Sequence, residues 1–360
     1  MTAVRCPVNE AATISRDEPA LILEDRKITY SELEFYVAGA AARLRQAECL
    51  AGDRVALGVS EPWQAVVLLL ALLRVKAVAC LLAGDASDKE NMALAGSRFR
   101  IGGPAPALDA EKLLPVYFEG QDTAESSRLL LEQPATLLFH RDGAGALRAL
   151  LHTYGNHYYG ARGANHAVRL SSHGRWLCAA PLHEAAGLSA LFRCLLSGAA
   201  LVLPAPGQPV GESLAKHGVT HAGLAPADLA ALLEGGTSLR FPKLQALLVE
   251  GEAGPELLAR ARAAGLPVVT GFGIPEVASG ISTVLPDTPP SRQNSAGVPM
   301  KYREVRIDAS GQLRVRGPAL FAGYVEPSGV CRPTDAEGWF ATGVRGKLEE
   351  DGYLTLRTAE

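Results

Sequence analysis

The chain has 360 residues, 48% of them hydrophobic and 20% charged, with a formal net charge of −3. That near-neutral balance excludes a polybasic nucleic-acid or membrane-surface protein, and the length suits about two or three lobes or one large α/β domain. The six cysteines (Cys6, Cys49, Cys80, Cys178, Cys194 and Cys331) are scattered, with no Cys-x-x-Cys pair. This fits reduced thiols in a cytoplasmic protein better than a zinc site or a disulfide framework. The N-terminus has no apolar signal-peptide core. The most apolar run, 65–82, is broken by Arg74 and Lys76, so it reads as a buried helix leading into a strand and not as a membrane span.

In chain order, 20–23 and 27–30 read as a hairpin across Glu24-Asp25, and Ser31 reads as the cap of a helix through 37–44. Gly52-Asp53 turns into a strand at 54–59, followed by a helix at 62–73 and a strand at 77–82. This alternation predicts a doubly wound α/β layer. The stretch 85–127 is poorer in periodic signal and reads as an eroded βαβ segment. A strand at 136–139 then runs into Arg141-Asp142-Gly143-Ala144-Gly145, with Arg148 beyond. Glycines that let backbone N–H groups turn inward, with a cation nearby, make a phosphate-holding loop. The same residues also make a plain strand–turn connection, and both readings stand on the loop alone. It has no Ser or Thr hydroxyl, and Asp142 would repel a polyphosphate.

A helix at 154–167, strands at 175–180, 200–203, 219–223, 247–249 and 268–270, and helices through 188–196, 227–233 and 255–264 continue the α/β pattern. Beyond Pro286 the texture changes to short strands at 301–307, 312–316, 339–342 and 353–356, a β-rich lobe. The expected organisation is a first α/β lobe over 1–130, a second with the Gly-rich loop over 131–285, and the β-rich lobe over 286–360.

The order of segments resembles the large N-terminal domain of the adenylate-forming acyl-CoA synthetase superfamily, which has the luciferase-like fold. The marks are Thr29-Tyr30-x-Glu32-Leu33, Gly52-Asp53-x-Val55-Ala56, Pro181-Leu182 with Gly187-Leu188, and Val219-Thr220-His221 with Pro226. Further along stand Phe272-Gly273 with Glu276, Gly297-x-Pro299, Val315-Arg316-Gly317-Pro318, Gly323-Tyr324, Trp339-Phe340-x-Thr342-Gly343 and Asp351-Gly352-Tyr353-Leu354. Each is weak alone; their ordered set is specific and spans nearly the whole chain. Phe192-Arg193-Cys194-Leu195-Leu196-x-Gly198-Ala199 tilts the resemblance toward the o-succinylbenzoate–CoA ligase branch of menaquinone biosynthesis.

The resemblance implies a ligase that joins a small carboxylate to AMP from ATP, with Mg²⁺, and then to coenzyme A. Protein catalysis there is mainly alignment and charge stabilisation. Carried over residue by residue, it gives Gly143, Gly145 and Arg148 to the phosphate loop and Gly251 to the adenine side. Phe272 stacks on the base with Gly273 beside it in the nucleotide site, Glu276 holds the metal, and Thr342 belongs to the ribose segment. His183, Glu184 and Gly187 fall in the acyl pocket, with Arg148, Glu276 and His183 as candidate catalytic groups. Where the family has Lys, Thr and Asp, this chain has Arg148, Pro275 and Val344; His183 and Glu184 replace an aromatic–histidine pair. Val344 offers no acceptor to a ribose, and Arg148 keeps charge without the compact geometry of lysine. The family's small C-terminal domain follows a hinge near where this sequence ends, and the resemblance implies that this chain lacks it. Two classes of function follow: a divergent ligase, or a catalytically inactive descendant that binds a small carboxylate or a protein partner, with a homodimer left open. A third reading makes His183 and Glu184 an acid–base pair.

Overall fold

The structure is a computed structural model and describes residues 2–102, 108–114, 128–235, 240–285 and 287–357. Two seven-stranded sheets form the α/β body. In the first, the parallel strands Phe99–Ile101, Arg54–Leu57, Val78–Leu81 and Pro134–Arg141 are continued by the antiparallel strands Leu147–Thr153, Gly323–Glu326 and Gly329–Cys331. In the second, Val268–Val269, Ala246–Val249, His221–Leu224, Arg175–Cys178, Ala200–Val202 and Pro19–Ile22 run parallel, and Lys27–Thr29 closes the edge antiparallel. The sheets therefore interleave the chain: the 19–29 hairpin completes the second sheet, and 323–331 completes the first.

Helices are buried between these sheets. In Pro62–Arg74 every residue from Val66 to Arg74 is buried, as expected of a helix that is apolar all round. It shares one hydrophobic core with Val55, Leu57 and Leu81 of the first sheet and Leu21, Trp176 and Leu201 of the second. Helix Tyr30–Gln46 is tied to the second sheet by Tyr30, whose hydroxyl donates to Ala199 O at 2.8 Å. Its cap is Thr29, in a capping box with Glu32, and not Ser31 as the sequence suggested. Thr153 and Asn156 form a second capping box at the start of helix Tyr154–Val168.

The β-rich part is a four-stranded antiparallel sheet of Glu304–Ile307, Gln312–Arg316, Phe340–Leu348 and Leu354–Arg357. A small three-stranded sheet joins Gly271–Phe272, Ser282–Thr283 and Val298–Pro299. Within the weakly patterned 85–127 stretch, helix Asp88–Ala95 and strand Phe99–Ile101 are present; 103–107 and 115–127 lie outside the described residues. Among the described residues no helix is long and apolar enough to cross a membrane.

Candidate functional site

The Gly-rich loop is the turn of a hairpin. Strands Pro134–Arg141 and Leu147–Thr153 pair antiparallel, with His140 opposite Arg148 and Arg141 opposite Leu147. Asp142 N donates to Ala146 O at 3.0 Å and Gly145 N to Asp142 O at 2.7 Å, with Gly145 left-handed at φ 81°. This is a three-residue hairpin loop closed by a glycine bulge. The Asp142 carboxylate fills its mouth: one oxygen accepts from Ala144 N and Ala146 N, each at 3.0 Å, and the other from Arg148 Nε at 2.9 Å. The Arg148 bond, followed by the backbone bonds, holds the Asp142 carboxyl below its ordinary value.

The same turn recurs at Asp308. Asp308 N donates to Gln312 O at 3.0 Å and Gly311 N to Asp308 O at 2.9 Å, with Gly311 at φ 80°. The Asp308 carboxylate accepts from Ser310 N at 2.9 Å, Gln312 N at 3.0 Å and Arg314 Nε at 2.8 Å. Asp-x-x-Gly-x-x-Arg at 142–148 and again at 308–314 encodes both. Two backbone donors and the Arg148 Nε that would meet a phosphate are thus already bound by a carboxylate, as in an ordinary structural turn of this chain.

From the turn, a polar chain leads to Glu276. Strand Gly323–Glu326 pairs with the hairpin, Tyr324 opposite Leu150. This sets the Tyr324 ring 5.7 Å from the Arg148 guanidinium. The Tyr324 hydroxyl donates to Glu276 Oε1 at 2.7 Å, and burial together with this bond raises the phenol's pKa. Among the described residues no group of three His, Cys, Asp or Glu side chains could hold a metal. Mg²⁺ usually takes one or two carboxylates plus substrate phosphates, which Glu276 alone could serve. The phosphate side fits poorly while Asp142 occupies the loop.

A cavity of about 220 Å³ lies between helices Tyr154–Val168 and Ala185–Ser197 and the segments 248–251 and 269–284. Gly251, Phe272 and Gly273 line it. Gly273 must stay glycine: a Cβ there would lie 2.8 Å from Gly280 Cα. The wall also carries Arg193, only 4% exposed in the middle of an otherwise uncharged helix. Its Nη2 donates to Ser279 O at 3.2 Å, and its guanidinium lies 4.8 Å from the Trp176 ring centroid. Arg193 Nε and Nη1 have no partner among the described residues. Burial pushes this guanidinium down to about 10. Beside it Ser189 and Ser279 share a 2.8 Å hydroxyl contact. Glu250, half-buried on the same wall, has its carboxyl raised by burial despite Arg193.

The other sequence candidates sit elsewhere. His183 lines a separate hollow of about 490 Å³ at the ends of strands Arg54–Leu57 and Val78–Leu81. Glu184 is exposed at the start of helix Ala185–Ser197, without a capping bond; no hydrogen bond joins it to His183. Gly187 packs on its own loop, where a Cβ would lie 2.1 Å from Pro181 O. Thr342 donates to Leu313 O at 2.9 Å and accepts from Val344 N at 3.2 Å. It sits where the pairing with 312–314 shifts register, and it does not line the cavity. Sequence reasoning assigned no role to Arg193 or Glu250. The signal for Arg193 was a lone charge inside Gly187–Leu195, a run of buried residues.

Comparison with known proteins matches the AMP-binding enzyme family over residues 8–94 and 145–325. The 2-succinylbenzoate–CoA ligase of Bacillus licheniformis is 28% identical over 96% of this chain and 77% of its own length. The o-succinylbenzoate CoA synthetase (MenE) of Bacillus subtilis, solved with the acyl-adenylate intermediate OSB-AMP, superposes with a TM-score of 0.89 at 25% identity, covering all of both chains. The same enzyme with ATP and magnesium ion gives 0.89 at 25% identity, covering 99% of this chain and 79% of that one. The family match spans most of the chain, including the cavity segments beside Phe272: the chain belongs to the AMP-binding enzyme family.

Proposed function

We propose that this chain is an acyl-activating protein of the o-succinylbenzoate–CoA ligase type, that the cavity beside Phe272 binds its carboxylic acid, and that nucleotide is held weakly. The observation that carries the reading is Arg193. A buried guanidinium on a cavity wall, with one 3.2 Å hydrogen bond and no partner for Nε or Nη1 among the described residues, is costly to keep. A planar guanidinium cation suits a carboxylate. Relatives named for o-succinylbenzoate make it the first acid to test.

On this reading Arg193 anchors one end of the acid and Phe272, Gly273 and Gly251 bound the space beside it. Glu276, fixed by Tyr324, is the carboxylate that would hold Mg²⁺, and coenzyme A is the acyl acceptor that the family resemblance implies. The Asp142-closed turn favours a second reading, in which the acid site outlives catalysis as a binding module. Carboxylate-dependent ATP–pyrophosphate exchange, with calorimetric titration of o-succinylbenzoate and of ATP, separates the two. Acid binding with slow exchange that saturates only at millimolar ATP is expected. Exchange that saturates at micromolar ATP would overturn the weak nucleotide site, and absence of acid binding would overturn the proposal itself.

A further inference from the structure

Helix Tyr154–Val168 also borders a larger groove of about 760 Å³. Ala164 and Val168 line the acid cavity, Gly163 and Ala167 line the groove, and Met300 lines both. The groove has an apolar floor of Leu170, Leu196, Leu285, Pro299 and Met300. Its rim is cationic: Arg162, His166 and Arg169 from the helix and Lys301 from the facing segment, all exposed. Asp287 is the one acidic side chain among the described lining residues, and none of the four basic groups has a carboxylate partner among the described residues. The helix macrodipole favours basic groups in the last turn, which accounts for His166 and Arg169. It does not account for Arg162, more than a turn earlier, or for Lys301 on another segment. Both ends of the groove are held in place. At one end the buried Arg303 donates to Lys301 O at 2.8 Å and to Gly160 O at 3.0 Å. A Cβ on Gly163 would lie 2.4 Å from Lys301 O, so Lys301 sits beside Arg162, whose Nη1 donates to the Tyr158 hydroxyl at 2.5 Å. At the other end Arg169 caps the helix at φ 57°. From Arg162 to Arg169 the helix rises about 10 Å.

We propose that this groove is a second ligand site, separate from the acid cavity, for an elongated aliphatic dicarboxylate. Its methylene body lies on the floor at Leu170, Leu196 and Met300, removing apolar surface from water. One carboxylate meets Arg162 and Lys301, and the other meets Arg169, in charge-assisted hydrogen bonds. The spacing of the two basic ends sets the length of molecule that fits, and the apolar floor between them sets its middle.

The probes are sebacate, long enough to bridge the two ends, and succinate, too short to do so. They are titrated calorimetrically at neutral pH and low ionic strength into the whole chain and its Arg169→Gln, Lys301→Gln and Arg193→Gln variants, with thermal melts confirming the fold of each. The wild-type chain is expected to bind sebacate at least about tenfold more tightly than succinate. Arg169→Gln and Lys301→Gln should each weaken sebacate several-fold and narrow that ratio. Arg193→Gln should leave sebacate binding unchanged, because Arg193 lines the other cavity. Equal binding of the two acids, or no sebacate binding at millimolar concentration, overturns the inference. Sebacate binding lost in Arg193→Gln but kept in the groove variants puts the acid in the other cavity and overturns it as well, while supporting the carboxylate reading above. Sebacate binding that needs Arg169 and Lys301 stands even if o-succinylbenzoate does not bind, so the two proposals fail separately.

Discussion

Two buried arginines should respond oppositely to the same substitution. Burial pushes Arg193 down to about 10 and Arg303 to about 9. Arg303 is saturated: it donates to Gly280 O, Lys301 O, Gly160 O and Ala278 O at 2.7–3.0 Å, pinning the 278–280 loop to helix Tyr154–Val168. Arg193 has one bond, at 3.2 Å, and the face of Trp176. Its fall from 12.5 to about 10 costs about 3 kcal/mol. The bond and the ring contact offset roughly 1–2 kcal/mol of this. Arg193→Met should therefore stabilise the unliganded chain by roughly 1–2 kcal/mol. With an unfolding entropy of about 2.1 cal/mol/K per residue, this raises Tm by roughly 1–3 °C. Arg303→Met removes the side-chain donor from four carbonyls and should cost roughly 3–5 kcal/mol. Urea unfolding followed by circular dichroism, with calorimetric titration of the acid, reads both effects. If the two variants lose stability alike, or Arg193→Met still binds acid, Arg193 is a structural residue and the reasoning fails.

Asp142→Asn should speed amide exchange at Ala144 and Ala146, which lose their charged acceptor, and raise ATP affinity; unchanged exchange would mean the carboxylate does not close the loop. In the native chain that protection is present at neutral pH and, because the Asp142 carboxyl is depressed, should be lost only as pH falls below the ordinary aspartate value. Tyr324→Phe frees Glu276 Oε1 and should change Mg²⁺-dependent nucleotide binding while leaving acid binding unchanged. His152 is pushed by burial from 6.5 to about 4 and is neutral in the fold, so the unfolded chain takes up its proton first. Stability should fall by up to about 3 kcal/mol as pH drops from about 6.5 to about 4. His152→Leu should flatten that slope in urea titrations across pH.

Much of the α/β body was legible because its signals are local. The apolar run of Pro62–Arg74 and the short β-branched strands announce buried elements whatever their neighbours do. Strands Gly323–Glu326 and Gly329–Cys331 were missed because their existence depends on a long-range partner, Leu147–Thr153. The candidate site was legible in part for the same reason. Gly251, Phe272 and Gly273, grouped by the family resemblance, line one cavity, but His183 and Glu184, adjacent in sequence, share no bond. Nothing in one sequence says that Glu250 and Arg193, 57 residues apart in numbering, line one wall.

The two halves of the site differ in one physical respect, and that difference bears on what the fold still does. At the hairpin Ala144 N, Ala146 N and Arg148 Nε are matched inside the chain by the Asp142 carboxylate, so a phosphate meets them only by displacing a group already bound by three bonds. At the cavity the reverse holds: Arg193 is buried with donors unmatched, a burden that folding alone gives no reason to keep. Asp308 and Arg314 supply the internal control, since the same closed turn stands in the β-rich sheet with no ligand implied. A chain under no demand for ligand would be expected to resolve Arg193 as it resolved the hairpin. This contrast supports the proposal that any retained function lies on the acid side of the cleft.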